Sequence, residues 1–266
     1  MDELQPGGLL ESDAVVEGDP DPTARPLWTE FAAVPESVLG TPAMALAAAL
    51  APTGSSRPVL VLPGFTTGDV STLPLRAFLR ALGHRPYGWG LGINVGVADH
   101  IAVGLDRSLR ELAHRYGTTI DIVGWSAGGM LGRMLAQNRG ELVGQVISLG
   151  SPIRLRSSDH NLGLISRIAG HLFVPTAPHI DVDTVPVPST TIWTARDGVV
   201  PGLACKQTIR PGAEAIEVRG THCGLGTNPA VAYAVADRLA QGEPWTPFDP
   251  PRRARWWFGE IENGDA

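Results

Sequence analysis

Residues 123–129 read Val-Gly-Trp-Ser-Ala-Gly-Gly, and Gly124-Trp125-Ser126-Ala127-Gly128 fits the pattern G-x-S-x-G. A serine spaced this way between glycines is a nucleophile when it sits on a sharp strand-to-helix turn. Gly and Ser also crowd into ordinary turns for conformational reasons, so the motif needs a context. A serine hydroxyl further needs a base to take its proton, and a carboxylate to hold that base in the right tautomer. Seven histidines are available: His84, His100, His114, His160, His171, His179 and His222. His114 falls in an amphipathic pattern that reads as a helix surface, and His84 at a helix–strand junction. His160, His171 and His179 lie in an irregular stretch. Only His222, in the loop Gly-Thr-His-Cys-Gly-Leu-Gly, directly follows a strand-like run, Ala-Ile-Glu-Val-Arg-Gly.

The elements around these residues alternate. Pro-Val-Leu-Val-Leu-Pro-Gly-Phe (58–65) is an unbroken apolar run closed by Pro-Gly, as expected of a strand buried on both faces. Leu75, Phe78, Leu79 and Leu82 recur at helical spacing, with Gly83 as a stop. Strands are predicted at 85–92, 118–125, 143–152, 189–197 and 213–220, and helices at 101–117, 126–140 and 228–242. This alternation predicts a doubly wound, mostly parallel sheet covered by helices. Ser126 then falls between a strand and a helix. In open α/β sheets, sites form outside the carboxyl ends of the strands, where His222 also emerges. The same test selects Asp197, at the end of Ser-Thr-Thr-Ile-Trp-Thr-Ala-Arg and before Gly198, over Asp181 and Asp183. The chain order Ser126, Asp197, His222 is that of an α/β-hydrolase triad.

An oxyanion needs donors. Ala127 offers a backbone N–H at a helix N-terminus, and Phe65, after the turn at Gly64, offers a second. Thr66, Trp125, Trp89 and Asn94 are the candidate substrate contacts. Residues 88–96, Gly-Trp-Gly-Leu-Gly-Ile-Asn-Val-Gly, match G-x-G-x-x-G in no register, so dinucleotide binding is not expected.

Composition bounds the rest. The chain has 266 residues, 43% hydrophobic and 18% charged, which suits one large α/β domain. A net charge of −6 argues against nucleic-acid binding, which needs a basic face. The acidic start carries no secretory signal pattern, and no apolar run reaches membrane-spanning length, so a cytoplasmic protein without stable membrane insertion is expected. No metal or organic cofactor is expected either. Residues 1–25 read as a mobile tail, 26–250 as the domain, and 251–266 as a C-terminal tail. In that last tail Arg-Arg-Ala-Arg-Trp-Trp reads chiefly as a segment folded back through its tryptophans. Residues 153–188 read as a lid-like insertion, with a helix near 162–173 whose apolar residues suggest an acyl chain in the substrate. Cys205 and Cys223 follow Asp197 and His222 on what would be adjacent loops. They allow either a bridge tying those loops or two reduced thiols.

The stretches PVLVLPGF, STLPLRAFLRALG, GWGLGINVG, VGWSAGG, LGSP, Asp-Gly-Val-Val-Pro (197–201) and THCGLGTNPAVAYAVADRLAQ resemble the bacterial α/β-hydrolase fold esterases and lipases. The resemblance covers about residues 27–248. It implies an α/β-hydrolase fold, Ser126, Asp197 and His222 as the triad, and Phe65 and Ala127 as the oxyanion hole. The chain has Pro63-Gly64 where many lipases have His-Gly. The expectation is a serine hydrolase of carboxylic esters acting on a small-molecule ester or acyl substrate. Acyl transfer or thioester cleavage would use the same triad, and a binding protein on the same fold would need none of it.

Overall fold

The computed structural model describes residues 15–16, 23, 25–54, 57–96, 98–156, 183–242 and 244–264. Within them the chain begins with β1 (Val15–Val16), a 3-10 turn (Leu27–Ala32), α1 (Ala33–Leu50), β2 (Pro58–Leu62) and α2 (Leu73–Ala81). It continues through β3 (Arg85–Gly88), α3 (Asp99–Tyr116), β4 (Ile120–Trp125), α4 (Ala127–Asn138) and β5 (Val143–Leu149). The last elements are β6 (Leu155–Arg156), β7 (Ser189–Trp193), β8 (Ala213–Val218), α5 (Pro229–Ala240) and β9 (Phe258–Asn263).

Seven of the strands form one sheet in the order β3-β2-β4-β5-β7-β8-β9. All its neighbours pair in parallel except β9, which runs antiparallel to β8. Every residue of β2 and β7 is buried, as a sheet covered on both faces requires. Alternation divides the side chains. Val59, Val61, Val123, Ile147, Ile192 and Ile216 pack with α1, α2 and α5. Leu60, Leu62, Ile122 and Val146 pack with α3 and α4. Each fully buried Leu or Ile in these layers contributes about 1.5–3 kcal/mol relative to exposure.

The helices begin and end where local chemistry dictates. In α3, Ile101, Leu105, Leu109 and Leu112 make the buried stripe, and Gly117 closes the helix at φ +61°, its N–H donating to the Ala113 carbonyl. In α5, Pro229 occupies the first turn and the Asn228 side chain caps the N–H groups of Ala230 (2.9 Å) and Val231 (3.3 Å). Leu27–Gly40 and Pro42–Leu50 meet at 63°, a kink at the residue whose ring displaces the carbonyl one turn back. No single helix among the described residues is long and apolar enough to cross a membrane.

Both predicted tails are altered by the structure. Val15 and Val16, expected in a mobile tail, pair in parallel with Leu155 and Arg156. The end of the chain, read as lying outside the domain, supplies the seventh strand of the sheet. Period-2 alternation is weak in Phe-Gly-Glu-Ile-Glu-Asn because this is an edge strand with one half-exposed face. What anchors it is aromatic: Trp257 and Phe258 are buried, and Phe258 packs against Phe248 (5.0 Å between centroids) and Tyr233 (6.2 Å). Of the insertion, residues 157–182, which hold the expected helix, His160, His171, His179 and Asp181, lie outside the described residues.

Candidate active site

Ser126 joins the end of β4 to the start of α4 with φ +53° and ψ −122°. A non-glycine residue there carries about 1–3 kcal/mol of backbone strain, and its neighbours show what enforces it. A Cβ on Gly124 would lie 2.4 Å from the Gly128 carbonyl carbon, and one on Gly128 would lie 2.5 Å from the Leu62 carbonyl oxygen. Both glycines of the motif are therefore demanded by backbone approaching backbone. The Ser126 N–H donates to the Leu149 carbonyl (2.7 Å), which ties the elbow to β5.

The next residue along β5's exit, Gly150, underlies the other two predicted members. It adopts φ +55°, and a Cβ on it would sit 3.1 Å from His222 Nδ1 and 3.3 Å from Asp197 Oδ2. Asp197 and His222 thus meet over the loop adjoining the serine, and His222 Nδ1 bonds Asp197 Oδ2 at 2.7 Å. Asp197 is fully buried and His222 nearly so. The carboxylate's second oxygen, Oδ1, accepts from the N–H groups of Val199 (2.9 Å) and Val200 (2.7 Å). These bonds spring from the Asp-Gly-Val-Val turn and leave Oδ2 aimed at the imidazole. Burial disfavours the imidazolium, but the Asp197 charge and hydrogen bond, with a smaller push from Glu30, outweigh it and raise the His222 pKa above the usual 6.5.

The predicted oxyanion donors lie on two elements. Ala127 opens α4, where the first N–H groups have no intrahelical acceptor. Phe65 follows Gly64, whose Cβ, were there one, would lie 3.5 Å from that of Ser126. The loop from Pro63 to Thr67 is held by a bolt. Asn94 donates from Nδ2 to the Pro63 carbonyl (2.8 Å) and accepts at Oδ1 from Gly96 (2.9 Å). Its backbone accepts from Thr66 N–H (2.7 Å) and donates to the Thr67 carbonyl (2.8 Å). Thr66 itself sits at φ +60°, with its hydroxyl donating to the Phe65 carbonyl.

Two predicted substrate contacts, Asn94 and Trp89, therefore change meaning. Asn94 is fully buried with its amide engaged, so it braces the loop instead of facing a cleft. Trp89 is equally buried, its indole donating to the Gly92 carbonyl at 2.9 Å. Trp125 is half-buried and donates to the His222 carbonyl (3.3 Å), its ring covering Gly226. It supports the base loop. Thr66 alone of the four is exposed.

No disulfide joins the two cysteines. Cys205 is buried beside Trp193 and Val200, and Cys223 is exposed. A different tie joins the Asp197 and His222 loops: Glu30, from the 3-10 turn ahead of α1, accepts from Gly198, His222 and Cys223 N–H groups. Partial burial and the Glu30 charge push the Cys223 thiol up to about 12. Nothing in the spacing of the sequence marks Glu30, because its partners lie more than 160 residues away. Gly150 was legible only as the second residue of Leu-Gly-Ser-Pro, with no sign of its positive φ.

No family model matches the chain, and no curated protein matches it. Solved structures match in architecture. Aspergillus fumigatus lipase B superposes with a TM-score of 0.53 at 16% identity, over 74% of this chain and 55% of that one, so this chain spans just over half its length. A monoacylglycerol lipase of Paleococcus ferrophilus matches with a TM-score of 0.51 at 12% identity, over 71% of this chain and 96% of that one. The pyrethroid hydrolase PytH matches with a TM-score of 0.50 at 17% identity, over 69% and 97% respectively. Likeness at these identities speaks for architecture alone, and with the parallel sheet and its helices it establishes that the chain has the α/β-hydrolase fold.

Proposed function

We propose that the chain is a serine hydrolase that cleaves carboxylic esters of small molecules through an acyl-enzyme. The observation that carries this reading is the buried Asp197–His222 hydrogen bond, packed over Gly150 next to the β5 end that holds the strained Ser126 turn. In the proposed reaction Ser126 Oγ attacks the acyl carbonyl while His222 Nε2 takes its proton. The Asp197 carboxylate holds Nδ1–H and stabilises the imidazolium without itself being protonated. Negative charge developing on the carbonyl oxygen would be met by the Ala127 and Phe65 N–H groups, in fixed positions that need no reorganisation. Collapse of the tetrahedral intermediate expels the alcohol with the proton from His222, and water repeats the sequence to release the acid. The match to chains described as lipases and as a pyrethroid hydrolase points the same way.

A panel of p-nitrophenyl esters of increasing acyl length tests the reading and sorts acyl preference. The wild type is expected to turn over at least one ester, and Ser126→Ala to lose several orders of magnitude in kcat, since triad members act as a unit. Equal turnover by both proteins would refute the assignment.

A further inference from the structure

Glu30 has a position that its half-exposed, N-terminal location does not suggest. Oε1 accepts from Gly198 N–H at 2.7 Å and from His222 N–H at 3.1 Å, while Oε2 accepts from Cys223 N–H at 2.8 Å. Gly198 is the residue after the proposed acid, and His222 is the proposed base. One carboxylate therefore clamps both loops from outside the sheet. The clamp is sterically provided for: a Cβ on Gly198 would lie 2.4 Å from Thr29 Oγ1 and 3.0 Å from Glu30 Oε1. A neighbouring carboxylate repeats the pattern. Glu36 Oε2 accepts from the Thr221 N–H (2.9 Å) and hydroxyl (2.7 Å), where a Cβ on Gly224 would come within 2.1 Å.

We propose that Glu30 is a positioning residue for the Asp197–His222 pair: its carboxylate fixes the acid loop against the base loop and sets a negative charge beside the imidazole. The catalytic part of this rests on the hydrolase reading, while the effect on the imidazole does not. Charge-assisted bonds to backbone N–H groups are shorter and stronger than neutral ones, so a glutamate does here what a glutamine would do less well. Among the described residues, the titratable groups around His222 are Asp197 from the acid loop, Glu30 from the 3-10 turn, Glu36 from α1 and the neighbouring Cys223. Asp197 dominates among the charges, and Glu30 adds to it in the same direction, favouring the protonated ring. Removing the Glu30 charge while keeping its shape should therefore make the imidazole easier to deprotonate.

The experiment is Glu30→Gln, with the His222 ring titration followed by NMR and kcat/KM followed against pH. The titration midpoint and the acid limb of the rate profile should both move to lower pH. Glu30→Ala, which removes the acceptors as well, should lower the plateau kcat/KM about tenfold or more through misplacement of the base. Phe258→Ala, which removes packing from the Phe248–Tyr233 cluster and none from the clamp, should leave the midpoint of the folded protein where it is. Should Glu30→Gln fail to fold, Gly198→Ala displaces the carboxylate from the other side and should move the midpoint in the same direction. An unmoved midpoint in the folded variant, with a plateau within about twofold of wild type, would overturn the proposal. A wild type that cleaves no ester would remove the hydrolase reading, yet the NMR midpoint would still decide the role of Glu30.

Discussion

Ser126, Asp197 and His222 owe their arrangement to residues that do no chemistry themselves. Gly124 and Gly128 allow the elbow, the N–H groups of Val199 and Val200 orient the carboxylate, and Gly150 leaves room beneath the pair. Two predictions belong here. Because the Asp197 interaction outweighs burial and raises the His222 pKa above 6.5, the imidazole is still protonated at pH values where a free histidine is neutral. The acid limb of kcat/KM for the wild type should accordingly have its midpoint above 6.5, and a midpoint below that value would contradict the balance of effects. Gly150→Ala combines a left-handed backbone with a Cβ 3.1 Å from His222 Nδ1 and 2.8 Å from Leu225 Cδ1. It should cost about 1 kcal/mol or more in denaturant unfolding and about a hundredfold in kcat/KM. Loss of stability with unchanged activity would show that the glycine serves the turn and not the pair.

At the scale of elements, the sheet and its flanking helices were legible because their signals are local. Unbroken apolar runs such as Pro-Val-Leu-Val-Leu mark buried strands, and the Leu105–Leu109–Leu112 stripe marks α3. The proposed triad positions were legible for a related reason, since each lies within four residues of the end of a strand that could be read locally. The braces were not legible. Asn94 looked like a cleft residue because an amide in a glycine-rich loop gives no hint that its partner is the Pro63 carbonyl 31 residues earlier. The strand β9 hid for want of alternation, its hold on the sheet coming from Phe258 in a cluster with Phe248 and Tyr233. Phe258→Ala should therefore destabilise the protein by about 3–5 kcal/mol, measured by urea unfolding, although the residue sits near the end of the chain. A change below about 0.5 kcal/mol would mean that the C-terminal segment does not contribute to the folded sheet.

For the whole molecule, the closing contacts span most of the sequence. Glu30 reaches Gly198 across 168 residues and Cys223 across 193, so the Asp197 and His222 loops are drawn together by the N-terminal part of the chain and not by a covalent bridge. With Cys205 buried, Cys223 exposed and no disulfide between them, melting temperature and activity should be the same with and without dithiothreitol. A fall of several degrees on reduction would point to a disulfide in place of the carboxylate clamp. The claim on which the functional account turns is that Ser126 is an activated nucleophile. Its most direct measurement is mass spectrometry of the intact protein after exposure to a fluorophosphonate, followed by peptide mapping. The account predicts a single stoichiometric adduct on Ser126, lost in Ser126→Ala and strongly slowed in His222→Ala; an unmodified Ser126 in folded wild-type protein would contradict it.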